Sequence, residues 1–137
     1  MSLFTYGSLM FPEVWARVTG ITQTGLPAQL PGFSARRIRG QTYPALVASP
    51  GSMTQGVLYH ETTSAALARL DEFEGSFYRR AVVPIITADS AVTFAWVYLA
   101  SDPANPDILP EPWSAAEFAA MYLASFLQHD PGFSGHR

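Results

Sequence analysis

The chain has 137 residues, 48% of them apolar, with no cysteine and a formal net charge of −3 at pH 7. This length predicts one domain over residues 1–137, with a core that needs no disulfide. Because the chain has no cysteine, zinc–thiolate sites and cysteine nucleophiles are excluded. The absence of lysine excludes a Schiff-base mechanism. The excess of acidic residues argues against binding of nucleic acid.

The sequence favours a cytoplasmic protein with no membrane partner. No stretch approaches the ~18 uninterrupted apolar residues of a membrane helix, and Met1–Phe4 lead into strand-like sequence without a basic targeting segment. Arg36, Arg37 and Arg39 form a short basic run. Because acidic residues are in excess, we interpret this run as a solvated strand face rather than a phosphate-binding track. The oligomeric state stays open.

The first half of the chain predicts one helix among strands. A buried strand over Leu3–Tyr6 comes first. A helix over Pro12–Val18 follows, since proline is favoured in a first helical turn and Gly20 supplies a stop. From Leu26 to about His60 the pattern is that of strands. The turn signals within this segment are Pro31-Gly32, Gly40 and Pro50-Gly51.

The second half predicts a helix, two strands and a loop. The helix covers Ser64–Phe73 and ends at Gly75. Two β-rich runs follow, over Tyr78–Thr87 and Val92–Leu99. The proline-rich segment Asp102–Pro112 is expected to be an irregular surface connection, and long loops of this kind are often functional.

The last predicted element is a helix that begins after Ser114. Ser114 and Glu117 form a capping-box pattern. The apolar stripe that follows consists of Phe118, Met121, Tyr122 and Phe126. The whole order of elements lacks regular βαβ alternation and has too many strands for a bundle, so it predicts an α+β fold with helices around a small, barrel-like sheet.

Glu74 is the most informative residue of the second helix. At 100° per residue it lies about 20° from Leu67 and about 40° from Leu70, and it therefore points with the apolar side chains. Burial and the negative end of the helix dipole are expected to raise its pKa toward the range of a general base or acid near neutral pH. The alternative is an ordinary ion pair with Arg79 or Arg80.

A second candidate is the loop Tyr6-Gly7-Ser8-Leu9, which follows the first predicted strand directly. Gly7 permits backbone angles that turn amide N–H groups toward a ligand. A helix beginning near Pro12 would also place its positive end close to the loop, which suits an anion. The alternative is an ordinary strand-ending turn.

Taken together, several segments resemble the γ-glutamylcyclotransferase-like family. Leu70-Asp71-Glu72-Phe73-Glu74-Gly75 and Tyr78 follow the Tyr-Gly-Ser-Leu loop by about 65 residues. The other matching segments are Phe4–Met10, Tyr43–Val47, Gly56–Tyr59 and Ala95–Tyr98. The resemblance implies a γ-glutamylcyclotransferase-like fold, in which a small mixed β-barrel is flanked by helices and has a pocket beside it.

The resemblance also implies a function and a site. Enzymes of this family release 5-oxoproline from a small γ-glutamyl compound without a metal or cofactor. By this resemblance Glu74 takes the place of the catalytic glutamate. The loop that binds the γ-glutamyl moiety corresponds to Tyr6, Gly7, Ser8 and Leu9. Tyr78 corresponds to a tyrosine that forms a hydrogen bond in the pocket. Only Gly75-Ser76-Phe77 separate Glu74 from Tyr78, fewer residues than in some members, so the substrate does not carry over.

Two other functions stay open: acid–base chemistry by Glu74 on another amide, and a binding module without catalysis. The histidines His60, His129 and His136 lack metal-ligand spacing, so no metal site is predicted. Trp96 and Tyr98 alternate on one side of a strand and are expected in the core, with Tyr98 the one that can reach the pocket.

Overall fold

A computed structural model describes residues 1–129; His136 and the last part of the predicted domain 1–137 lie outside them. A 3₁₀ turn over Ser8–Met10 follows the first strand. The other elements are β1 (Ser2–Thr5), α1 (Pro12–Thr19), β2 (Leu26–Ile38), β3 (Pro44–Tyr59), α2 (Ser64–Glu74), β4 (Tyr78–Thr87), β5 (Val92–Ala100), β6 (Ile108–Pro112), α3 (Ala115–Met121) and α4 (Leu123–His129). Across residues 1–129 no helix is long and apolar enough to cross a membrane.

The strands form one sheet that closes on itself. Their order is β3-β1-β5-β4-β2-β6, and β2 also pairs with β3, so five strands form a barrel and β6 extends it along β2. β1 is antiparallel to β3 and parallel to β5. The closure brings β1 and β3 very near each other: a Cβ added at Gly56 would lie 2.2 Å from the Thr5 carbonyl oxygen. The predicted α+β fold with a small mixed barrel is confirmed.

The hairpin of β2 and β3 is the longest pairing in the barrel and corrects part of the sequence prediction. The pairs extend from Leu26–Leu58 to Arg37–Pro44. Pro31-Gly32 does not end a strand, because β2 continues through it with a shift of register and Gly32 at φ 83°. Gly51, at φ 84°, likewise lies within β3. The long hairpin pairs again on both sides of these positions, from Pro31–Met53 to Phe33–Ala48, so they form an irregularity within the hairpin rather than strand ends.

Two apolar clusters determine where the helices lie. One cluster fills the barrel with side chains from its five strands: Phe4, Leu30, Leu46, Leu58, Ile85 and Val97. The other lies between the barrel and the helices, and includes Leu3, Trp15, Tyr59, Leu70 and Phe73. Within it the Trp15 and Tyr59 rings are stacked, with centroids 3.8 Å apart. Because Leu70 and Phe73 are both fully buried, the last turn of α2 is held against the barrel.

The fold after β5 differs from the sequence prediction in three respects. β6 lies in the segment expected to be an irregular loop and pairs with β2 through Ile108. The final helix is two helices, α3 and α4, because the backbone departs from helical geometry at Tyr122. Ser114 caps this helix as expected, since its hydroxyl accepts from the Glu117 amide at 3.1 Å, while the Glu117 carboxylate pairs with Arg37. Met121, however, is 64% exposed rather than part of a buried stripe.

Candidate active site

A cavity of about 300 Å³ lies at the C-terminal end of β1. It is enclosed by the loop after β1, the start of β3, the end of α2 and the neighbouring parts of β4 and β5. The lining residues are Phe4, Thr5, Tyr6, Gly7, Ser8, Leu9, Pro44, Glu74, Tyr78 and Tyr98. All six residues named from the sequence therefore line one cavity. Tyr98 lines this cavity as well, and so does Pro44, to which the sequence analysis assigned no role.

Glu74 is the last residue of α2. The helix begins after Thr63, whose hydroxyl accepts from the Ala66 amide at 3.1 Å, and it ends at Gly75, with φ at 72°. Helical spacing thus places the Glu74 side chain toward the cavity, where its Oε2 atom is buried. Arg80, one of the two cations considered as its partner, pairs with Asp71. The raised pKa expected of Glu74 stays a prediction.

Tyr78 is the first residue of β4 and is held on the far wall of the cavity. Its hydroxyl donates a 2.6 Å hydrogen bond to the Pro44 carbonyl oxygen. Burial, with smaller contributions from Tyr6 and Tyr43, raises the pKa of Tyr78 well above its usual value. The phenol therefore stays protonated and neutral at physiological pH.

Gly7 is required here for space. Its φ is −123°, outside the left-handed region that favours glycine. A Cβ added at this position would lie 2.9 Å from Cδ and 3.1 Å from Cγ of Pro44. The loop and β3 approach each other here more closely than a residue with a side chain allows, and the expected orientation of the loop's amide N–H groups toward a ligand stays a prediction.

A hydrogen-bonded network ties α2 to the strands behind the cavity. The Tyr6 hydroxyl donates to the Tyr98 carbonyl, and the Tyr98 hydroxyl donates to Asp71 Oδ1 at 2.7 Å. Arg80 contacts both oxygens of Asp71, at 2.7 and 3.1 Å, and lies over the Trp96 ring at 4.4 Å. Sequence reasoning missed this network because its members come from the loop after β1, α2, β4 and β5 and share no local pattern.

Chemically, the cavity offers one carboxylate, the backbone of a loop and neutral phenols. Burial, followed by the hydrogen bond to Asp71, raises the pKa of Tyr98. No group of three or more metal-ligating side chains occurs among the residues that the structure describes. The arrangement is suited to proton transfer by Glu74 to or from a small molecule held against the Tyr6–Leu9 loop.

Comparison with known proteins identifies the family. A family model described as gamma-glutamyl cyclotransferase, AIG2-like, matches residues 3–115, which include all six candidate residues. The chain belongs to this family. AIG2-like protein A of Arabidopsis thaliana is 31% identical over 128 residues, which cover 93% of this chain and 77% of that protein. The match to this plant relative thus covers nearly the whole length of this AIG2-like chain.

Solved structures agree with the family assignment. A solution structure of an Arabidopsis thaliana protein is 31% identical, covers 93% of this chain and 85% of its own, and has a TM-score of 0.74. A structure named gamma-glutamyl cyclotransferase is 22% identical with a TM-score of 0.65, over 74% of this chain and 66% of its own. The second likeness shows that this AIG2-like chain has the fold of that enzyme.

Proposed function

We propose that this protein is a γ-glutamylcyclotransferase that releases 5-oxoproline from a γ-glutamyl amino acid or γ-glutamyl amine. The observation that carries the proposal is the placement of the Glu74 carboxylate in the same 300 Å³ cavity as the Tyr6–Leu9 loop. Membership of the family supports it independently of that geometry.

In the proposed reaction the substrate's α-nitrogen attacks its own γ-carbonyl carbon. That N–C bond closes the lactam ring, the γ-amide C–N bond breaks, and two protons pass from the attacking nitrogen to the leaving nitrogen. Glu74 relays these protons one at a time: it accepts the first from the α-ammonium group before attack and the second after the ring has closed, and it passes each to the leaving nitrogen. Because both reacting groups belong to one molecule, the main contribution of the protein is to hold a near-attack geometry.

The remaining site residues receive binding roles in this proposal. Backbone amides of Tyr6, Gly7, Ser8 and Leu9 hold the γ-glutamyl moiety and stabilise the developing oxyanion. Ser8 and Leu9 are buried, at 3% and 5% exposed, which fits a loop shaped by packing rather than by solvent. Tyr78 contributes its neutral hydroxyl on the opposite wall.

The proposal is tested by Glu74→Gln, which removes the proton acceptor and keeps the shape of the side chain. We expect turnover to fall by about 10²- to 10⁴-fold with the fold intact, the usual contribution of a general acid–base group. The measurement is 5-oxoproline release, followed by mass spectrometry, from a panel of γ-glutamyl amino acids, γ-glutamyl amines and glutathione. Glu72→Gln is the matched control, because Glu72 is exposed on the same helical turn and does not line the cavity.

Near-normal turnover by Glu74→Gln would contradict the role of this residue. A folded wild type that releases no 5-oxoproline from the whole panel would contradict the proposed reaction. In that event, thermal stabilisation by a γ-glutamyl compound would favour the binding-module alternative, and activity on a different amide would favour the other enzyme.

A further inference from the structure

A second cavity borders the candidate active site. It has a volume of about 910 Å³ and shares Glu74 and Tyr78 with the smaller cavity. From there it continues along Gly75–Phe77 to a polar end at Arg39 and Asp107. We call this cavity the side groove. When the γ-glutamyl half of a substrate lies against the Tyr6–Leu9 loop, as the proposed function requires, the other half has to extend out of this first cavity.

The position of Glu74 decides into which opening that other half extends. A group that returns a proton to the leaving nitrogen has to lie within hydrogen-bond reach of it. The side groove contains Glu74. A third cavity, of about 690 Å³, meets the active site only at Tyr6, whose hydroxyl donates to the Tyr98 carbonyl oxygen. Because Glu74 borders the side groove, the leaving nitrogen and what it carries extend into that groove.

The walls of the side groove are fixed by hydrogen bonds. The Arg39 amide donates to the Asp107 carbonyl oxygen at 2.7 Å, and the Asp107 amide donates to Asn105 Oδ1 at 2.9 Å. On the opposite wall the Ser101 amide donates to the Phe77 carbonyl oxygen at 2.8 Å. The short Gly75–Phe77 connection and the proline-rich loop therefore form a preformed surface, which lowers the entropic cost of binding.

The chemistry of these walls indicates what the groove binds. Arg39 is the cation of the groove; its side chain is 66% exposed, and its Nε lies 3.6 Å from Asp107 Oδ1, beyond hydrogen-bonding distance. A guanidinium group offers further N–H donors in a fixed plane that matches a carboxylate. The amides of Gln41 and Asn105 add polar surface, and Phe77 adds an apolar wall.

We propose that the side groove binds the leaving half of the substrate, and that this half is an amino acid whose α-carboxylate is held by Arg39. This inference rests on the proposed function, and it selects γ-glutamyl amino acids over γ-glutamyl amines that carry no carboxylate. Asp107 holds Arg39 from the Nε side and leaves the terminal nitrogens to the substrate.

The test compares γ-glutamylalanine with γ-glutamylethylamine, which differ only in the carboxylate of the leaving half. Wild type is expected to have the higher kcat/KM for γ-glutamylalanine. Arg39→Gln is expected to lower that value about fivefold, the scale of an exposed charge pair, and to change that for γ-glutamylethylamine by less than about twofold. Arg37→Gln is the matched control, because Arg37 lies two residues before Arg39 near the end of β2, pairs with Glu117 and does not line the groove.

Equal effects of Arg39→Gln on the two substrates, or no effect on either, would overturn the inference while the proposed reaction stands. If wild type releases 5-oxoproline from neither compound, the full panel described above decides separately on the proposed function. The groove is then tested by calorimetric titration of γ-glutamylalanine into wild type and Arg39→Gln. Weaker binding to the variant supports a carboxylate site at Arg39, and equal or absent binding contradicts it.

Discussion

Pro44 contacts two of the residues that line the candidate active site with it. Its carbonyl oxygen accepts from the Tyr78 hydroxyl, and its ring packs against the backbone of Gly7. Pro44 is itself buried at the first position of β3. A rigid ring between a loop and a tyrosine determines how closely the two walls of the cavity approach each other. The side chains named from the sequence therefore depend on a residue that had no role there.

Gly7→Ala is expected to lower the free energy of unfolding by about 1–3 kcal/mol, the usual cost of forcing extra volume into a packed site. The new methyl group meets Cδ of Pro44 at 2.9 Å, and a proline ring cannot rotate away. Urea unfolding measures the loss. The double variant Gly7→Ala/Pro44→Ala removes the clashing atoms, so it should be less destabilised than the two single effects added together. Wild-type stability in Gly7→Ala would show that the loop moves freely, contrary to this account.

Among the secondary-structure elements, α2 has the most direct influence on the site because its last turn carries Glu74. Asp71, three residues earlier, accepts from Arg80 of β4 and from Tyr98 of β5. Hydrogen bonding to Asp71 raises the pKa of Arg80, so this guanidinium group stays charged. The contacts join the end of the helix to two adjacent barrel strands, and they fix the direction in which Glu74 extends.

A double-mutant cycle on Asp71→Asn and Arg80→Gln measures this attachment. The side chains are 45% and 25% exposed, so solvent screens the pair and we expect a coupling energy of about 1 kcal/mol in urea unfolding. We also expect either single variant to lower kcat more than it raises KM, because Glu74 loses its orientation rather than its charge. Strictly additive effects on stability, with kcat unchanged, would contradict an attachment through this pair.

Local patterns predicted the elements that have clear ends. Gly20 and Gly75 lie just beyond α1 and α2, as expected from their helical stop signals. β6 was missed because it has only five residues, two of them proline, and is formed by pairing with the edge of β2. That pairing depends on distant parts of the chain, and no local pattern reports it.

The same distinction explains how much of the site could be predicted. The Tyr6–Leu9 loop and Glu74 each lie in a contiguous segment with a recognisable spacing, and the structure brings both to one cavity. Arg39, Asn105 and Asp107 form the side groove only after β6 has joined β2 and the loop before it has closed against Arg39. From the sequence, Arg39 was interpreted only as part of a solvated strand face, and the proline-rich segment only as a connection.

At the scale of the whole molecule, the composition makes its stability at alkaline pH unusually simple to interpret. The sequence contains no lysine and no cysteine, and all its cationic side chains are arginines. In the unfolded chain, tyrosines are therefore the side chains that titrate near pH 10. Burial raises the pKa of Tyr59 to about 12, and it raises those of Tyr78 and Tyr98 further. All three phenols pack where the barrel meets the helices.

We expect the free energy of unfolding to fall steeply as the pH rises above 10. In the unfolded chain these tyrosines lose their protons near pH 10, whereas the folded protein keeps the Tyr59 proton up to about pH 12. The contribution is complete below pH 10 and is lost as the pH rises through the folded pKa, at up to about 1.4 kcal/mol per pH unit for each tyrosine. Urea unfolding at intervals from pH 9 to pH 12 measures this slope.

Tyr59→Phe separates this titration from packing. The variant keeps the ring that stacks on Trp15 and removes only the hydroxyl, whose hydrogen bond to the Met10 carbonyl oxygen is 3.3 Å long. Near pH 8 its stability should be close to that of wild type. Between pH 10 and pH 12 its free energy of unfolding should fall with a shallower slope, because one of the three shifted phenols is gone. Parallel slopes for the two proteins would show that Tyr59 titrates in the folded state as it does in the unfolded chain, and alkaline unfolding would then depend on the other tyrosines.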